Sequence, residues 1–208
     1  MSLTDHHLDP GLFISRWSAV FGQTTEPVWR LPSVAERVIT EKFKGLPGEY
    51  VKNGTAYIHH SANIEPHVTM KGAIIIGPGC FIGSHAYLRG GVFLDEGVVV
   101  GPGCEVKSSF IFRRSALAHF NFAGDSIIGE NVNMEAGSIL ANHYNEREDK
   151  SIRSLINGEI FLLPVNKFGS FIGDGSKIGA NAVLSPGTVL SPNSIVKRLE
   201  LVEQVKLS

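Results

Sequence analysis

Residues 58–106 read IHHSANIEPHVTMKGAIIIGPGCFIGSHAYLRGGVFLDEGVVVGPGCEV, and an aliphatic side chain returns at every sixth position of this run. The series is Ile58, Ile64, Met70, Ile76, Ile82, Leu88, Leu94, Val100 and Val106. Four residues after each comes a smaller or branched partner: Ala62, Val68, Ile74, Cys80, Ala86, Val92, Val98 and Cys104. A helix of period 3.6 and a plain alternating strand both fail to sustain a period of six. A short repeat that holds its phase this long predicts stacked coils, each burying its face against its neighbours. Gly follows the aliphatic residue at Gly77, Gly83 and Gly101, where the chain has to turn sharply. The fold expected is all-β, a parallel β-helix with short flat sides.

Outward from that stretch the beat slips once and breaks once. After Val106 the inward positions are Ile111, Leu117, Ala123 and Ile128, so two steps are five residues long instead of six. Irregularities in β structure often lie beside functional sites. The beat returns through Met134 and Leu140, breaks at an insertion over residues 145–168, and resumes at Ile172, Ile178, Leu184 and Leu190. Asn157-Gly158 in the middle of the insertion spells the type I′ turn of a β-hairpin. Residues 1–57 lack the period. Leu12, Phe13, Ile14, Trp17, Val20 and Phe21 sit at helical spacing, and Ser33 with Glu36 spells a capping box for a second helix to about Phe43. The division expected is an N-terminal helical cap over 1–57 that covers the open end of the coil, the β-helix over 58–195, and a tail over 196–208 that covers the far end.

Composition narrows the class. With 43% hydrophobic and 19% charged residues the chain can bury a sizeable core. A formal net charge of −1 gives no reason to expect nucleic acid or a membrane as a partner, so any phosphate site must be a local cluster of cations. The two cysteines, Cys80 and Cys104, occupy inward positions on different coils and read as core thiols in a reducing compartment. No basic segment followed by an apolar one opens the chain, and a cytoplasmic protein is expected.

The chemistry-bearing residues cluster where the beat slips. One coil is about eighteen residues, three sides of six, so Arg89 and Lys107 fall on adjacent strands ~4.8 Å apart. Two such cations suit a phosphate or carboxylate; both being solvated surface charges is an equal alternative on spacing alone. His119 stands beside the slip with Asn121, Asp125 and Asn133 near, and an imidazole titrating near neutrality can take a proton from an attacking amine. His6 and His7 read as tail residues. His85, His119 and His143 lie on separate coils without paired ligand spacing, so no metal is expected.

These residues carry a resemblance. Ala-Tyr-Leu-Arg-Gly-Gly at 86–91, Cys-Glu-Val-Lys at 104–107, Ala-His-Phe-Asn-Phe-Ala-Gly-Asp at 118–125 and Asn-Val-Asn-Met-Glu-Ala-Gly at 131–137 resemble the acetyltransferase half of bifunctional glucosamine-1-phosphate acetyltransferase / N-acetylglucosamine-1-phosphate uridylyltransferases. Asn-Lys-Phe-Gly at 166–169 is more similar to the archaeal-type sugar-phosphate nucleotidyltransferases that carry such a coil. The resemblance covers roughly residues 58–195. It implies a left-handed β-helix, a homotrimer with sites between subunits, and acetyl-CoA as co-substrate. It also implies His119 as general base, Arg89, Lys107 and Lys167 as holders of an amino-sugar 1-phosphate, Phe122, Asn133 and Asn142 as sugar contacts, and backbone groups near Ala136 and Ala180 as contacts to acetyl-CoA. Phe122 replaces a family tyrosine and Glu135 a family glycine; His143 and Tyr144 stand near another family tyrosine. The 57 residues before the coil have no room for a nucleotidyltransferase domain, so that step falls to a separate protein if it occurs. The alternatives are a sugar-phosphate-binding module without catalysis, and an acyltransferase acting on a nucleotide-linked amino sugar.

Overall fold

The structure, a computed structural model, describes residues 8–22 and 24–206; His6 and His7 lie outside the described residues. It is a parallel β-solenoid with three faces. The first face stacks Ala56–His59, Ile74–Ile76, the second half of Tyr87–Leu94, the second half of Glu105–Ile111, then Ile127–Ile128, Ser170–Ile172 and Thr188–Leu190. The second stacks two-residue strands from Asn63–Ile64 through Phe81–Ile82, Val99–Val100, Ala116–Leu117, Asn133–Met134 and Lys177–Ile178 to Ile195–Val196. The third runs from Thr69–Lys71 through the first halves of the two long strands to Phe122–Gly124, Ile139–Leu140, Val183–Leu184 and Leu201–Val202.

The six-residue series forms the interior. Ile76, Ile82, Leu88, Leu94, Val100 and Val106 are each fully buried, and Ile111, Leu117, Ala123 and Ile128 continue the same core through the shortened steps. Cys80 belongs to it as well: its Sγ donates to the Asp95 carbonyl (2.9 Å). Burial pushes that thiol up to about 12, so it is an inert core group. The slip is visible as a register change. Arg89 faces Lys107 and Val92 faces Ser109, so Gly90 and Gly91 on one coil are matched by Ser108 alone on the next. That shortened corner, between the third and first faces, is also where residues 141–169 leave the coil and return.

The N-terminal segment does not sit where the sequence placed it. Its helices, α1 (Trp17–Phe21) and α2 (Ala35–Phe43), pack along the outer side of the first face, not over the end of the coil. The first face explains this, because it is apolar on both sides. Ile75, Phe110, Ile127, Phe171 and Val189 point outward and build a second core with Ile14, Trp17, Trp29, Leu31 and Ile39. The open end is instead extended by an antiparallel strand, Tyr50–Asn53, paired with Ala56–His59.

The capping box does not form either. Pro32–Val34 makes a 3-10 turn, the Ser33 hydroxyl donates to the Arg30 carbonyl (2.7 Å), and α2 starts after Val34 without a side-chain cap. The hairpin is present as Arg153–Ile156 paired with Glu159–Leu162, with φ positive at both Asn157 and Gly158. Its Ile152, Ile156 and Leu163 join the same outer core. At the far end the Gln204 amide accepts from Val189 N–H and donates to Val189 C=O (both 2.8 Å), closing the last edge of the first face.

Candidate active site

The residues singled out in the sequence divide between two corners of the coil. At the corner between the third and first faces, the Lys107 ammonium donates to Asp125 Oδ2 (2.6 Å), and both side chains are largely buried. Asn142, also buried, donates to the same carboxylate oxygen. Asp125 adopts φ 46° to make this turn. Arg89 lies in register with Lys107, as the repeat length required, but its guanidinium turns to Glu105 (2.7 Å) and over the Tyr87 ring. The two cations are thus each paired with a carboxylate and do not jointly face an anion. Phe122 lies on the third face, and its ring fills the space a side chain at Gly124 would take.

Lys107 and Asp125 form part of one wall of a cleft of about 810 Å³. Gly90 and Ser108 complete the coil side, Pro164–Lys167 of the returning insertion makes a second wall, and residues 32–37 with Arg30 make a third. Lys167 therefore lines the same cleft as Lys107, while Arg89 is not in the lining. The start of α2 opens onto this cleft, and uncapped helical N–H groups carry partial positive charge. A second, more apolar cleft of about 590 Å³ adjoins it across Pro164–Lys167, lined by His143, Tyr144 and the hairpin's Leu162 and Leu163.

His119 belongs to the other group, at the corner between the second and third faces. Its ring is exposed and its carbonyl accepts from Gly137 N–H (2.9 Å). The Ala136 carbonyl accepts in turn from Asn181 N–H (3.0 Å), so His119 and the turns carrying Ala136 and Ala180 stack on successive coils. Asn133 lies just before them on the second face, paired with Ala116 and Lys177. Asn121, beside His119 in sequence, is no free ligand: it is buried and donates to the Glu135 carbonyl (2.7 Å) and Ser138 Oγ (2.8 Å).

Glu135 changes the picture at this corner. Arg198 grips its carboxylate through two nitrogens (2.8 and 3.0 Å), and Ala180 N–H donates to it (2.9 Å). The Arg198 hydrogen bonds, with help from the Ala180 amide, hold this exposed acid down to about 2. The backbone donor that the resemblance assigns to acetyl-CoA is therefore already engaged by a side chain of the same chain.

Comparison with known proteins bears on the coil. A family profile described as the hexapeptide repeat of succinyl-transferase fits residues 73–107 and 171–197. Those two stretches carry the repeat that the profile describes. Among curated relatives, the bifunctional protein GlmU of Methanococcus vannielii is 34% identical over 135 residues, 56% of this chain and 32% of the relative. The bifunctional sugar-1-phosphate nucleotidylyltransferase/acetyltransferase of Sulfurisphaera tokodaii is 32% identical over 144 residues, 60% of this chain and 35% of the relative. The chain spans about a third of the length of these relatives. Among solved structures, a variant of the perosamine N-acetyltransferase from Caulobacter crescentus, in complex with CoA and GDP-perosamine, is 16% identical with a TM-score of 0.36, covering 80% of this chain and 68% of that one.

The sequence did not point to Arg30, Glu36 or Arg37 as lining residues. They lie in a segment without a repeat, and no local signal says which corner of the coil it reaches. Among the described residues no three His, Cys, Asp or Glu side chains group as a metal site, and no helix is long and apolar enough to cross a membrane.

Proposed function

We propose that the chain is an acyl-CoA-dependent N-acetyltransferase acting on an amino sugar that carries phosphate, the 1-phosphate being the form its relatives suggest. The observation that carries this reading is the grouping of His119 with the turns of Ala136 and Ala180 on one corner, and of Lys107, Asn142 and Lys167 on another. The first group has an exposed imidazole beside turns fit for a thioester; the second has cations and a carboxylate–amide pair fit for a phosphorylated sugar. In a homotrimer the two corners of neighbouring copies meet, and the site is complete only there.

In that arrangement the amine of the sugar must be neutral to attack the thioester carbonyl. The His119 imidazole takes the proton as the C–N bond forms, and the CoA thiolate leaves as the tetrahedral intermediate collapses. A fixed backbone N–H near Ala136 supports the developing oxyanion. Lys167 holds the phosphate, and Asn142, steadied by Asp125, orients the sugar.

The test is a screen of amino-sugar phosphates and nucleotide-linked amino sugars with acetyl-CoA, following release of free thiol. Turnover on at least one is expected, and His119→Ala should lower it by roughly 10²–10⁴-fold with the assembly unchanged. Silence across the screen, with sugar phosphate still bound, favours a binding module; near-normal turnover in His119→Ala removes the imidazole from the reaction.

A further inference from the structure

The cleft at the Lys107 corner has more charge, and more room, than one phosphate uses. On the coil side Asp125 sits 2.6 Å from the Lys107 ammonium and offsets it, so Lys167, which has no ion-pair partner among the described residues, is the uncompensated cation there. Across the opening stand Arg30 and Arg37 of the N-terminal segment, with Glu36 between them, whose carboxylate turns away to Gly72. Arg30 pairs with Glu26 at 3.8 Å and Arg37 with Glu26 and Glu41 at 3.4 and 3.5 Å; these carboxylates lie in a neighbouring cleft that Arg37 also lines, and both arginine side chains are more than half exposed. Such pairs contribute little and yield readily to a stronger anion. Guanidinium forks match phosphate oxygens in geometry as well as charge. The volume, about 810 Å³, lies toward the top of the ~300–1,000 Å³ range of small-molecule sites. A lone phosphate at Lys167 would leave the opposite wall unused.

We infer that this cleft is a two-part anion site, in which Lys167 holds one phosphate and Arg30 with Arg37 holds a second linked to it, so that its ligand is a diphosphate. The inference rests on the proposed function only in placing the sugar's phosphate in the same cleft, and it makes the N-terminal segment a specificity element for that ligand.

Isothermal titration of the whole chain, without acyl donor and at fixed ionic strength, tests it with inorganic pyrophosphate and inorganic phosphate. Pyrophosphate should bind tighter by about tenfold or more, the gain from a second charge-assisted contact. Arg30→Gln with Arg37→Gln should abolish that preference while leaving phosphate affinity in place, and Lys167→Gln should weaken both anions. These side chains are exposed, so unchanged circular dichroism and melting are expected in the variants. Equal affinity for the two anions in the native chain, or a preference that survives the double arginine change, overturns the assignment. UDP binding tighter than pyrophosphate marks a nucleoside-linked ligand; weaker UDP marks a diphosphate without a nucleoside, and either keeps the diphosphate. A failed thiol-release screen with the pyrophosphate preference intact would sink the acetyl-transfer reading alone, and the reverse result would sink this one alone.

Discussion

Glu135 stands where the resembled family has glycine, and its carboxylate closes a three-residue lock with Arg198 and the Ala180 amide. Because the folded-state pKa is depressed, to about 2, from an unfolded value of about 4.3, the lock's contribution is complete above the unfolded value. It is lost as pH falls through about 2. Both side chains are exposed, so the effect on global stability is small and the local one is the useful readout. A carbon-detected titration of Glu135 should give a midpoint near 2 in the native chain and one well above it in Arg198→Gln. Identical midpoints would mean that Arg198 does not hold the acid. Under the proposed function the same lock bears on cofactor binding, because acetyl-CoA would have to displace Glu135 to reach Ala180 N–H. A glycine-to-glutamate departure is visible in the sequence, but its target, an arginine two coils away in space and 63 positions away in the chain, is not. Lys107 shows the same limit, since the repeat gave its register with Arg89 correctly and said nothing about Asp125 capturing it.

Among the elements, the coil was legible because a six-residue period is a property of the chain itself, and the hairpin because Asn157-Gly158 demands positive φ at both positions. The place of α2 was not legible. Its docking depends on outward side chains of the first face, Ile75 and Phe110, which the six-residue pattern treats as noise. What fixes it locally is Gly91, at φ 90°, where a Cβ would lie 2.5 Å from the Glu36 nitrogen and 2.7 Å from the Ala35 carbonyl carbon. Gly91→Ala should therefore push α2 off the corner. Overpacking of this kind costs about 1–3 kcal/mol, added to ~1–2 kcal/mol for a left-handed non-glycine residue. Gly54→Ala is the matched control: φ is 60°, and a Cβ there meets nothing within 4 Å. Thermal melts should show a clearly larger loss at Gly91 than at Gly54, with weakened pyrophosphate binding only at Gly91. Equal losses would show that backbone strain alone is at work and that the helix does not rely on this contact.

For the whole molecule, the question is what covers the third face. Phe122, Ile139, Val183 and Leu201 stand in register on successive strands and point outward, with Leu201 63% exposed, and Phe120, 73% exposed, beside them. This apolar strip runs between the corner of His119 and the corner of Lys107, so a second copy seated on it would bring the two half-sites together. Ile139→Lys with Leu201→Glu should release monomers in sedimentation and abolish acetyl transfer while far-ultraviolet circular dichroism stays the same. Complementation is the sharper measurement. Lys167→Ala is the right partner for His119→Ala, because a change at Lys107 would strand the buried Asp125 carboxylate. Each variant alone should be nearly inactive. After subunit exchange in an equal mixture, about a quarter of native turnover should return, the share of contacts in a cyclic assembly that join an intact His119 to an intact Lys167. Mixed assemblies that remain silent would place both residues of each site in a single copy, contrary to the separation of the two corners.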